Sequence, residues 1–110
     1  MGGRSTLADG TPPPDPEKES KPSFEWDEVK RQSNIAKHHL DFEDAKQIWD
    51  GRARYTIDST RDSEFRQLNI SKIGDKLYYV ISTIRGDKIR LISFRRANSK
   101  EIRIYEQFIK

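Results

Sequence analysis

The sequence predicts an α+β domain with the element order β-α-α-β-β-β-β-α. Three observations lead there. Apolar residues recur at helical spacing between residues 27 and 50. They switch to twofold alternation from Arg54, and the alternating stretches are broken at Gly74-Asp75 and Gly86-Asp87. Consecutive strands joined by such short turns argue an antiparallel meander with helices packed on one face.

The elements follow in chain order. Phe24-Glu25-Trp26 alternates apolar and polar, as a short strand does. Asp27 is placed to cap a helix over residues 27–37, with Glu28 in the first turn, where its charge favours the positive end of the helix dipole. Val29, Ser33 and Ala36 are its compatible face. Asp41 is a second N-cap. It opens a helix that carries Phe42, Ala45, Ile48 and Trp49 on one side and stops at Asp50-Gly51. Tyr55 and Ile57 suggest an edge strand, residues 59–63 a loop, and residues 65–73 the next strand. Residues 77–85, rich in Tyr, Val and Ile, suit a central strand, and residues 88–95 form the last. Asn98 or Ser99 caps a terminal helix with Ile102, Tyr105, Phe108 and Ile109 facing inward.

Composition bounds the class. In 110 residues, 33% hydrophobic and 35% charged, there is room for one domain with a modest core. No run of eighteen apolar residues exists to cross a membrane, and no apolar stretch near the N-terminus forms a secretory signal. The absence of cysteine removes disulfides, thiolate metal sites and cysteine nucleophiles together, and agrees with a reducing, cytoplasmic setting. Residues 1–22, with Pro12-Pro13-Pro14 and a polar Glu-Lys run, read as a disordered extension, leaving residues 23–110 as the domain.

The net charge of +3 is unevenly spread. Residues 1–22 and 23–84 each carry −1, whereas residues 85–110 carry +5, as expected where one face meets a polyanion. Arg66 begins one strand, Arg85 ends the next, Arg90 lies within the last, and Arg95 and Arg96 end it. Strict alternation puts Ile89, Leu91, Ser93 and Arg95 on one face, and Arg90, Ile92, Phe94 and Arg96 on the other. The planar guanidinium fork suits phosphate, and several forks around a phosphodiester would stabilise transition-state charge. In RNA the neighbouring 2′-hydroxyl can be the nucleophile, so no metal is required. The same arginines would equally fit surface ion pairs with Glu64, Asp87, Glu101 and Glu106.

His38 and His39 end the first helix. There they fit a structural capping role, or proton exchange by the side chain whose ordinary titration range lies nearest neutral. The carboxylates form no metal-ligand pattern, and no P-loop, GxGxxG or HExxH motif occurs, so no metal or other cofactor is expected. Most aromatics sit at core-compatible spacing; Tyr78 and Phe94 are the better candidates for base stacking.

Taken together, Phe24-Glu25-Trp26-Asp27, Lys30, Asn34, Lys37-His38, Phe42-Glu43, Ala45, Asp58, Arg61, Glu64-Phe65-Arg66 and Ile73-Gly74 resemble the BrnT toxins. So do Thr83-Ile84-Arg85, Ile89-Arg90-Leu91-Ile92-Ser93, Arg95-Arg96-Ala97, Glu101 and Tyr105-Glu106. The resemblance implies a RelE-like fold with a curved antiparallel sheet. It also implies the toxin of a type II toxin–antitoxin system, a metal-independent endoribonuclease that leaves a 2′,3′-cyclic phosphate and arrests translation. Arg66, Arg85, Arg95 and His38 are then the expected catalytic positions, with Arg90, Arg96 and Lys100 as RNA-binding cations. The implied partner is a BrnA-like antitoxin that contacts DNA on the toxin's behalf. Two features depart from the family pattern: His39 stands where glycine is usual after Lys-His, and the N-terminal extension is foreign to it.

Overall fold

A computed structural model describes residues 22–61 and 63–109. The extension expected over residues 1–22 lies, Pro22 apart, outside them. Strand β1 (Ser23–Trp26) leads into helix α1 (Glu28–His38). Helix α2 (Phe42–Ala45) continues as a 3-10 turn over Lys46–Trp49. The strands β2 (Arg54–Arg61), β3 (Glu64–Ile73), β4 (Lys76–Arg85) and β5 (Lys88–Arg96) follow, and helix α3 (Ser99–Phe108) closes the domain. The expected succession of strands and α-helices is observed in part: the second helix, expected to run on to Asp50, stops at Ala45 and gives way to the 3-10 turn.

All three expected helix starts carry their cap. Asp27 accepts from the N–H groups of Val29 and Lys30, Asp41 from that of Glu43, and Asn98 forms a reciprocal capping box with Glu101. Arg31 reaches from α1 to grip both carboxylate oxygens of Asp41, at 2.8 and 2.9 Å, and also meets Glu28 at 2.6 Å. The guanidinium holds the Asp41 carboxyl well below its ordinary range, at about 2.

Several expectations are corrected. The sheet order is β1-β5-β4-β3-β2, and β1 runs parallel to β5, with Phe24 opposite Ile89 and Trp26 opposite Leu91. The sheet is thus mixed rather than antiparallel, because the connection between these strands is long enough for a crossover. Second, residues 59–61 are strand rather than loop. Ser59, Thr60 and Arg61 pair with Arg66, Phe65 and Glu64, and the ladder overrides the polar local composition. Third, the helices cover both faces. Phe42, Ala45, Ile48 and Trp49 pack with Val80, Ile89, Leu91 and Phe94 in one core. On the opposite face α3 contributes buried Tyr105, whereas Phe108, expected to face inward, stacks on Tyr55 at 5.1 Å and is 56% exposed near the helix end. Val29 on α1 is 77% exposed; the buried residue of that helix is Asn34.

A β-bulge resets the last strand. Ile81 pairs with Ser93 but Ser82 pairs with Leu91, so Ile92 is an extra residue. Beyond it the alternation reverses. Ile89, Leu91 and Phe94 share the core face, and Arg90, Ser93 and Arg95 share the other. The strict alternation expected along this strand fails at that residue.

His39 ends α1 in the left-handed conformation, with φ of 59°, while its N–H donates to the Ile35 carbonyl at 2.8 Å. A side chain in that conformation costs about 1 kcal/mol. The expected result for His39→Gly is a rise in melting temperature of roughly 4–8 °C, read by thermal unfolding. No rise would mean that contacts of the imidazole offset the strain.

Candidate active site

A cavity of about 190 Å3 opens where α1 faces the bulge of β5. Its helical wall is Lys30, Ser33, Asn34, Lys37 and His38, and its strand wall is Ile92 and Ser93. Lys30, Ser33 or Asn34, and Lys37 follow one another at three- and four-residue steps, so helical geometry alone lines them along one face. His38 adds an imidazole in the last turn, beside the negative end of the helix dipole.

The cations of this wall differ from several of the arginines. Among the described residues neither Lys30 nor Lys37 makes an ion pair with a carboxylate, and both are exposed. Carboxylates among the described residues hold, by contrast, Arg31 (Glu28 and Asp41), Arg52 (Asp50), Arg66 (Glu64), Arg90 (Glu25) and Arg95 (Glu101). A mobile polyanion meets the least resistance where cations have no internal counter-charge.

The expected arginines separate into two groups along the sheet. Extending the Gln67–Ser82 register by one residue sets Arg66 opposite Thr83, which is itself opposite Arg90. Arg85 lies two residues further along β4 on that same face, opposite Lys88. Arg66, Arg85 and Arg90 therefore form one basic band, and Ser93 lies on its face, joining the band to the pocket. The pair between Arg66 and Glu64, at 2.9 Å, is open to solvent, and Nε of Arg66 is buried without a partner. Such an exposed pair is weak enough for a phosphate to displace.

Arg95 is elsewhere. It is opposite Tyr79, four residues along β4 from Thr83, roughly 13 Å away. Its guanidinium donates twice to Glu101, at 2.9 and 2.8 Å, and stacks 4.1 Å above the Tyr79 ring. This clamp ties the first turn of α3 to the sheet. Hydrogen bonding to Glu101 raises the Arg95 pKa against the opposing effect of burial. Burial likewise raises that of Tyr79. Arg96 is exposed over Tyr78 at 5.7 Å, and Lys100 is exposed on α3. Neither stacking candidate offers a free ring: Phe94 is 1% exposed, and Tyr78 lies between it and Arg96.

Among the described residues no group of three or more His, Asp or Glu is arranged to hold a metal ion, and no helix is long and apolar enough to cross a membrane. What the arrangement offers chemically is an imidazole, two ammonium groups and hydroxyls from Ser33 and Ser93 around a space the size of a phosphate and its ribose. The sequence pattern marks His38, but not these lysines, as chemistry. Their signal was the helical spacing of Lys30 and Lys37, hidden by an apolar pattern that begins with the exposed Val29.

Comparison with protein families finds one described as the ribonuclease toxin, BrnT, of type II toxin–antitoxin systems, whose model matches residues 26–101, more than half of the chain. Comparison with curated proteins finds no match.

Proposed function

The chain belongs to the BrnT family of ribonuclease toxins of type II toxin–antitoxin systems, and on that premise we propose that it cleaves RNA without a metal ion in the pocket between α1 and the β5 bulge. The observation that carries this reading is the meeting of His38 with two lysines that have no carboxylate partner among the described residues and with Ser93, at one end of the Arg66–Arg85–Arg90 band. In this reading the band holds the RNA backbone by its phosphates, and the pocket takes the scissile one.

The chemistry is a transesterification. The 2′-oxygen attacks the adjacent phosphorus, the bond to the 5′-oxygen breaks, and a 2′,3′-cyclic phosphate remains. His38 takes the proton from the 2′-hydroxyl, and the leaving 5′-oxygen takes one from water. Lys30 and Lys37 lie against the oxygens on which negative charge grows, and act more strongly there than in bulk water. Arg66, Arg85 and Arg90 supply positioning, as do Arg96 and Lys100 for the flanking strand. Arg95, engaged with Glu101, supports the fold instead.

A toxin of this type has an antitoxin partner. The proposed partner is a BrnA-like protein that covers the basic face in the cytoplasm and makes the complex's contacts with DNA. The test of metal independence is to incubate the purified chain with RNA, with and without EDTA. Unchanged cleavage in EDTA is expected; loss of cleavage that returns with added Mg2+ would overturn the mechanism.

A further inference from the structure

We infer that Asn34 is a positioning residue for this cleavage, holding the two walls of the pocket at one separation through the β5 bulge; the inference rests on the cleavage site proposed above. Asn34 is 7% exposed, and its amide makes three hydrogen bonds, all to backbone. Nδ2 donates to the Phe94 carbonyl at 2.8 Å and to the Leu40 carbonyl at 2.9 Å, while Oδ1 accepts from the Phe94 N–H at 3.1 Å.

The place of these bonds gives them their effect. Strand β1 ends at Trp26, opposite Leu91, so beyond that residue β5 has no neighbouring strand on this side among the described residues. The Asn34 amide presents one donor and one acceptor, as a peptide group would, and takes the place of the missing strand at Phe94. Phe94 follows Ser93 in the strand wall, and Leu40 lies two residues beyond His38 in the helical wall. One buried side chain thus fixes both walls and the bulge between them. The fit is specific to the amide: aspartate lacks the donor, serine cannot span both walls, and an apolar residue would leave Phe94 unpartnered. Because all its polar atoms are engaged with backbone, Asn34 acts through Ser93 and His38 rather than on the RNA.

The experiment compares the full chain with Asn34→Asp, which keeps the shape and the acceptor but loses both donations. Steady-state cleavage is measured at a temperature where thermal unfolding shows both proteins folded. The expected result is a fall in kcat of roughly a hundredfold with KM within about twofold. An unchanged kcat, or a loss carried by KM, would overturn the positioning role. If Asn34→Asp does not fold, Asn34→Ser is judged by the same split. Failure of the unaltered chain to cleave RNA would count against the proposed function. Inorganic phosphate titrated onto 15N-labelled protein then decides the positioning role. Shifts at His38 and Ser93 that Asn34→Asp abolishes support it; equal shifts in both proteins, or none in the unaltered chain, overturn it.

Discussion

Replacing His38 with alanine is expected to slow RNA cleavage by about a hundredfold to ten-thousandfold and to leave thermal unfolding unchanged. The imidazole lines the pocket, is only half-buried, and is in none of the hydrogen bonds that hold α1 to its surroundings. Its removal therefore takes away a proton acceptor without opening the core. The measurement is a single-turnover cleavage rate beside a melting curve. A rate within threefold of the unaltered chain would remove His38 from the chemistry and leave the lysines as electrostatic support for some other base. A rate loss accompanied by a lower melting temperature would mark the residue as structural, consistent with its place in the last turn of α1.

Arg95→Ala is expected to act in the opposite way, on stability first. It removes both hydrogen bonds to Glu101, whose side chain is 12% exposed, and the cation above Tyr79. Leaving a largely buried carboxylate without its partner costs about 2–3 kcal/mol here, toward the low end for such pairs because Arg95 itself reaches solvent. For a domain of this size the melting temperature should fall by roughly 10–20 °C. Cleavage measured where the variant is fully folded should stay within about threefold of normal. Glu101→Gln should reproduce part of the loss. An unchanged melting temperature together with abolished cleavage would return Arg95 to the catalytic group that the family resemblance implies.

These contrasting expectations show what the sequence carried locally and what it did not. Asp27, Asp41 and Asn98 announce three helix starts because a cap acts within three residues of itself. Phe42, Ala45, Ile48 and Trp49 reveal their buried side by spacing alone. Resemblance to the family likewise needed only the order of short motifs. The parallel pairing of β1 with β5 and the bulge at Ile92 depend on partners far away in the chain. Asn34 reaches Phe94 across sixty residues, and nothing in residues 88–96 signals an extra residue. That one residue decides which arginines share a face. Counting by twos set Arg95 apart from Arg90, whereas the bulge reunites their faces. Register then separates them again along the strand.

The arginine set itself was legible as charge but not as geometry. Arg66, Arg85 and Arg90 fall on one band because adjacent antiparallel strands place the start of one beside the end of the next. Ion pairing divides the set further. Two of the expected surface partners, Glu64 and Glu101, do hold Arg66 and Arg95, and Glu25 of β1 holds Arg90, a pairing that only the crossover creates. The lysines of α1, less conspicuous in sequence, are left lining the pocket with no counter-charge among the described residues.

The most direct test of the central proposal is the chemistry of the ends. An RNA oligonucleotide is cleaved by the chain, and the new termini are identified by mass spectrometry beside a matched substrate carrying one 2′-deoxy sugar at the cleaved position. Attack by the 2′-oxygen is expected to yield a 2′,3′-cyclic phosphate and a 5′-hydroxyl, with no cleavage of the deoxy substrate at that position. Termini bearing a 5′-phosphate and a 3′-hydroxyl, or undiminished cleavage next to the deoxy sugar, would contradict it.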